Sequence, residues 1–241
     1  MTDMDRLREE LEDTRKLAAE KEEQLERYAA DLRETFKQER ERAHELRSSY
    51  VATVRALTNA VDARDAYTGK HAERVAAYAL ELAHTIAPEL VADPLSEFGF
   101  LLHDVGKVAI PDSVLHKPEP LTAEERALIE THTVIGAQIL AGIEFLADAQ
   151  EVVRHHHERW DGGGYPDGLA GEDIPIAARI FALADTLDAL TTDRPYRPAA
   201  SLERARKVIN AEAGTQFDPA VVTAFAEVSD ERIEDIRRAI A

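Results

Sequence analysis

Apolar positions in the first 50 residues recur every seven: Leu11, Ala18, Leu25, Leu32 and Leu46 share one seam position, interrupted by Glu39. The companion position reads Leu7, Thr14, Lys21, Tyr28, Thr35 and Arg42 and is mostly polar, so only half of a coiled-coil pattern is present. The stretch contains neither Gly nor Pro, and Tyr50, Val54 and Leu57 carry the stripe onward without a break. Both a solvated single helix and a parallel dimeric coiled coil fit; the density of charge leaves the leucine seam as the surface to bury, which favours the dimer. From residue 51 the spacing is helical almost throughout, with no run of alternating strand residues. It predicts helices over 51–64, 69–86, 94–104, 122–140, 147–158, 174–190, 200–212 and 218–227, and a short tail helix from 229. The expected fold is all-α, a charged helix over 1–50 followed by a helical domain over 51–241.

Local signals set some boundaries. Thr122 with Glu125 forms a capping box, Asp218-Pro219 supplies a cap and first position, and Gly106 and Pro111 end the third helix of the domain. The longest irregular stretch is 159–173, and loops of that length are usually functional or disordered.

Hydrophobic content of 44% suffices for a sizeable core. Cysteine is absent, which removes disulfides, thiolate metal sites and a cysteine nucleophile, so any metal must use imidazole and carboxylate. No apolar run approaches a membrane span and no signal-peptide core is present, making the cytoplasm the expected location without membrane insertion. A formal charge of −18 argues against a nucleic-acid polymer as partner; an anionic small molecule would need a local cationic pocket.

Several metal-binding side chains fall on apolar faces. His71 lies on the stripe His71, Val75, Tyr78, Leu82, and His132 on Leu128, His132, Ile135, Ile139. Asp185 shares a face with Ala178, Phe181 and Asp188, and His103-Asp104 closes an apolar segment. A lone inward histidine is usually a hydrogen-bonded core residue; four separate segments each carrying one such group point to a shared site. The run His155-His156-His157 adds imidazoles, and five histidines with two aspartates suit two adjacent divalent ions with a bridging carboxylate. Gly162, Gly163, Gly164 and Pro166 stop any helix and frame Tyr165 in a turn where backbone can approach a partner.

His103-Asp104 with Lys107, His156-His157-Glu158 and Gly164-Tyr165-Pro166 resemble the HD-GYP domain, a branch of the HD phosphohydrolase superfamily. The resemblance runs in order from Asp65-Ala-Tyr-Thr-Gly-Lys-His71 and Arg74 through His132-Thr-Val-Ile-Gly136, Arg179 to Asp185, Asp188-Ala-Leu-Thr and Arg194-Pro-Tyr-Arg197 to Gly214-Thr-Gln-Phe217-Asp-Pro219. It implies an all-α HD-type domain that hydrolyses cyclic di-GMP to pGpG or GMP in bacterial signalling. It further implies two divalent ions, iron or manganese. One ion would be held by His71, His103, Asp104 and Asp185, and Asp104 would bridge to a second held by His132, His156 and His157. Three-metal members carry a carboxylate four residues before the first histidine; here that residue is Tyr67, with Asp65 two positions further back, so a two-metal site is expected.

On the same resemblance, a metal-activated hydroxide attacks phosphorus, and Asp104 and Lys107 serve the chemistry, Lys107 steadying a phosphoryl oxygen. Gly164, Tyr165, Pro166, Arg194 and Arg197 contact substrate. Asp161 is expected to brace Arg159 or the glycine turn. His155 is expected outside the ligand set, and His44, His84 and His116 at the surface or in packing. The N-terminal helix is expected to form a homodimer or to relay a signal from a separate sensor protein. The alternatives are a weakly catalytic module that binds cyclic di-GMP or a protein partner, or a hydrolase of another cyclic dinucleotide.

Overall fold

The structure, a computed structural model, describes residues 3–62, 70–193 and 198–240. Asp65, Tyr67, Arg194 and Arg197 lie outside the described residues, and with them the expectations placed there. The regular structure is helical, and the described residues contain no strand, only an isolated bridge between Ala213 and Phe217. The chain is all-α, as its spacing predicts.

The chain divides into two compact units, Met1–Thr53 and Val54–Ala241. The long N-terminal helix is present as α1 (Asp3–Asp62). In the first unit its seam leucines 11, 25, 32 and 46 are each more than half exposed. Side-chain bonds there are local: Arg27 pairs with Glu23, and Gln38 donates to Glu34 at 3.0 Å, each four residues apart.

In the second unit the last turns of α1 bury Val54, Thr58 and Val61, and the Thr58 hydroxyl donates to the Leu101 carbonyl at 3.2 Å. There follow α2 (His71–Ile86), α3 (Pro88–Ala92), α4 (Ser96–Leu101), α5 (Asp112–Leu115), α6 (Ala123–Leu140), α7 (Ala147–His155), α8 (Ile176–Thr191), α9 (Leu202–Ala211), α10 (Pro219–Glu227) and α11 (Asp230–Ile240). Single 3₁₀ segments lie at Val105–Ala109, Glu144–Leu146 and Gly171–Asp173. Helices α2 and α8 pack together at the centre. Buried Ala72, Ala76, Ala79 and Ala83 on one, and Ala178 and Ala184 on the other, allow a close approach. Tyr78, Leu82, Phe181 and Leu187 fill the space around them. Helices α4, α10 and α11 pack on α2, α7 and α9 pack on α8, and α6 lies against α7 and the Val105–Ala109 segment.

Both expected caps form. The Glu125 amide donates to Thr122 Oγ1 at 3.2 Å while the Thr122 amide donates to Glu125 Oε2 at 2.8 Å, and the Ala220 amide donates to Asp218 Oδ1 at 2.8 Å. Two helices are shorter than their periodicity predicts. The segment expected over 94–104 ends at Leu101, and that expected over 147–158 ends at His155. Beyond the first end the chain enters the 3₁₀ segment Val105–Ala109, where a Cβ on Gly106 would stand 1.9 Å from the His132 carbonyl oxygen and 2.6 Å from the Gly136 amide, so this segment runs flush against α6. The second ends where Glu158 turns to meet amides of the following loop.

Candidate metal centre

The early helix ends put His103-Asp104 and His156-His157 in turns, facing α6 and the start of α2. His103, His132 and His156 are buried, while His71, Asp104, His157 and Asp185 are half-buried. All seven side chains converge. Asp104 Oδ2 lies 3.0 Å from His103 Nε2, and its Oδ1 lies 3.4 Å from His132 Nε2, so one carboxylate spans two imidazoles. His132 Nε2 is 3.3 Å from His156 Nε2, and His132, His156 and His157 each offer a nitrogen within 4.8 Å of the others, a cluster that could hold a metal ion. On the other side His71 packs edge-on to His103 at 5.7 Å between ring centres, and its Nε2 lies 3.4 Å from Asp185 Oδ1.

The ring orientations have a common origin. His103, His132 and His156 each direct Nδ1 at the carbonyl three residues back, Phe100 at 2.9 Å, Ile129 at 2.7 Å and Val153 at 2.9 Å. A carbonyl only accepts, so Nδ1 carries the proton and Nε2 faces the shared centre. Burial, with the rings of His157 and His103, pushes His156 well below the ordinary imidazole value. Burial likewise lowers His132 against the pull of Asp104, and takes His157 down to about 4 with help from His132. These imidazoles are therefore neutral near pH 7, and two nitrogen lone pairs confront each other 3.3 Å apart. An electron-pair acceptor resolves that repulsion. Two imidazole nitrogens bound tetrahedrally to one ion at about 2.05 Å would stand about 3.3 Å apart, so the donor set fits a metal.

Asp104 supplies the negative charge. Burial opposes its ionisation, but His103 and Lys107 outweigh that and hold it well below the usual carboxylate range. Conversely, burial depresses His103 while Asp104 overcomes it and raises the ring. Lys107, three residues on, places Nζ 2.8 Å from Asp104 Oδ2.

The glycine-rich loop forms one wall. Tyr165 stacks on His157 at 4.7 Å and 28°, and burial raises its phenol. The Tyr165-Pro166 bond is cis. Gly164 lies so close to the preceding turn that a Cβ would stand 2.4 Å from the Arg159 amide nitrogen. Asp161 does both things expected of it, accepting from Arg159 at 3.0 and 3.2 Å and from the Gly163 amide at 2.9 Å. Buried Glu158 accepts the amides of Asp167, Gly168 and Leu169 at 2.8, 3.1 and 3.1 Å. The sequence marks Glu158 only as the residue after two histidines, and nothing in its spacing reveals that anchoring role. His155 faces away from the cluster, toward Asp167 Oδ2 at 3.1 Å. His44, His84 and His116 are exposed.

The HD domain family model matches residues 55–221. The 3'3'-cGAMP-specific phosphodiesterase 2 of Vibrio cholerae is 44% identical over 192 residues, covering 78% of this chain and 37% of that protein. A cyclic di-GMP phosphodiesterase of the same organism is 42% identical, covering 78% and 41%. The cyclic di-GMP phosphodiesterase response regulator RpfG of Xanthomonas campestris is 41% identical, covering 72% and 46%. The chain thus spans less than half the length of these relatives. Among solved structures, a Vibrio cholerae phosphodiesterase specific for cyclic GMP-AMP superposes with a TM-score of 0.56 at 22% identity, over 77% of this chain and 52% of that one. That likeness is one of fold.

Proposed function

The chain belongs to the HD domain family, and from that premise we propose that it is a metal-dependent cyclic dinucleotide phosphodiesterase, hydrolysing cyclic di-GMP to pGpG or GMP. The observation that carries the reading is the pair of neutral imidazoles, His132 and His156, with their Nε2 atoms 3.3 Å apart beside the Asp104 carboxylate. In this reading one divalent ion would be held by His71, His103, Asp104 and Asp185 and a second by Asp104, His132, His156 and His157, with iron or manganese as the metals. When bound, such ions supply Lewis acidity, lowering the pKa of water and countering phosphoryl charge.

The chain's own groups do the rest. Asp104 presents one oxygen to each half of the centre. The carbonyls behind His103, His132 and His156 fix the rings so that no reorientation is needed on binding. The Lys107 ammonium is poised beside Asp104 to meet a non-bridging phosphate oxygen. Tyr165, with Gly164 and Pro166 around it, offers a ring face for a base, and Arg194 and Arg197 are assigned to the second phosphate or a guanine edge. The runner-up substrate, 3'3'-cGAMP, is favoured by the 44% identical relative named for it.

Purified protein loaded with Mn²⁺ or Fe²⁺ and incubated with cyclic di-GMP and with 3'3'-cGAMP, products followed by chromatography, tests the assignment. Hydrolysis of cyclic di-GMP is expected; preferential cleavage of cGAMP would move the substrate, and binding without turnover would leave a sensor module.

The exposed leucine seam of α1 supports a homodimer joined through residues 1–50, with a separate sensor protein as the other partner it could serve. No helix among the described residues is long and apolar enough to cross a membrane, and the cytoplasm is the proposed location.

A further inference from the structure

His71 differs from the other oriented rings of the centre. His103, His132 and His156 lean on the carbonyl three residues back. His71 is the first residue of α2, so no turn of that helix precedes it to provide such a carbonyl. Its Nδ1 is met instead by Asp188 Oδ2, at 2.7 Å, from 117 residues along the chain. Asp188 is buried, and its acceptor sites are taken. Oδ1 receives Arg74 Nε at 2.7 Å and the Thr192 hydroxyl at 3.4 Å, and Oδ2 receives His71 and Arg74 Nη2 at 3.0 Å.

Asp185, one turn earlier on α8, has the opposite surroundings. Its side chain is 31% exposed, and an oxygen faces His71 Nε2. Of two aspartates on one face, therefore, one has electron pairs to give an ion and the other has spent them on protein donors.

We propose that Asp188, clamped by Arg74, is a positioning residue for the metal centre. It fixes the Nδ1–H tautomer and ring angle of His71, leaving Nε2 aimed inward, and does not itself ligate. This rests on the reading of His71 as a ligand. The arrangement is the carboxylate–histidine pairing that raises imidazole basicity toward a metal, and losing such a partner typically weakens metal binding about 10–100-fold.

The test uses the full chain. In ¹⁵N-histidine NMR of the zinc-loaded protein, with His71 assigned through His71→Gln, the ring is expected to carry its proton on Nδ1; a proton on Nε2 would overturn the proposal without any variant. Asp188→Asn is then titrated with Mn²⁺, with circular dichroism confirming the fold. Affinity should fall about 10–100-fold, with turnover recovering at high Mn²⁺. Asp218→Asn is the control: it removes another buried carboxylate paired to arginine, Arg179 at 2.8 Å, whose second partner is the Ala220 amide and not an imidazole. It should lower the melting temperature and leave Mn²⁺ affinity unchanged. Wild-type affinity in a folded Asp188→Asn, or an equal loss in Asp218→Asn, would refute the proposal. If His71→Gln itself keeps full metal content, the ligand reading fails instead, and the two failures are separable.

Discussion

Glu23 and Arg27 pair in water, their side chains 65% and 73% exposed, and each keeps most of its hydration. Asp104 also pairs with a cation, Lys107, but its side chain is only 18% exposed and lies among buried imidazoles. The first pair is a local consequence of helical spacing, worth about 0.3–0.5 kcal/mol. The second would be costly for any fold to retain without a use, because desolvated charge destabilises unless fully compensated. The same residue types thus carry different information in the two units: on α1 they keep a helix solvated, and in the second unit they mark a site.

The largest effect tests whether the second unit's buried charges exist for a metal. Removing metal with a strong chelator, verified by elemental analysis, is expected to abolish turnover; full activity in the stripped protein would erase the contrast. Next, His103→Ala and Asp104→Ala should each reduce kcat/KM by at least about 100-fold, while His155→Ala, bonded to Asp167, stays near wild type. Equal losses in all three would mean that the register of the histidine run is misread.

A third change strikes the packing that brings the site together. Gly106→Ala forces a methyl group into the backbone of α6 and should cost about 3 kcal/mol or more in urea denaturation; a change below 1 kcal/mol would show that α6 yields easily. The smallest effect belongs to α1. Arg27→Ala should shift stability by less than about 0.5 kcal/mol, and a larger loss would reveal that this surface is buried by a partner. Deleting residues 1–45 extends that test: light scattering should report a monomer in place of a dimer, and a wild-type chain already monomeric at micromolar concentration would refute the seam.

Helix content was legible because it depends on neighbours three and four positions apart. The stripe through His71 and the capping box at Thr122 are of that kind. The stripe expected through His132 fails, because Leu128 and Ile139 are exposed and α6 buries His132, Thr133, Gly136, Ala137 and Leu140 instead, among them the small residues that let its backbone meet the Val105–Ala109 segment. Where α4 and α7 stop was not legible from periodicity, and neither was the close approach at Gly106, whose neighbour is a backbone on another helix 26 residues away. The candidate ligands could be gathered by type and face, whereas the division of labour between Asp185 and Asp188 could not. Both sit on one face of α8, and only the positions of His71 and Arg74, more than a hundred residues earlier, distinguish them. Glu158 was hidden for a similar reason, its partners being amides that every sequence possesses.

The bonds from Glu158 to the amides of residues 167–169 give the glycine-rich loop a thermodynamic character at odds with its composition. Three glycines in a row would ordinarily leave many conformers to be frozen out when a ligand arrives. Here that entropy is surrendered during folding, and Tyr165 already rests on His157. A molecule reaching this wall meets a preorganised surface, so affinity need not be diminished by ordering the loop. Selectivity at such a wall follows from rigidity, because a ligand that does not fit against Tyr165 cannot recruit the loop to accommodate it.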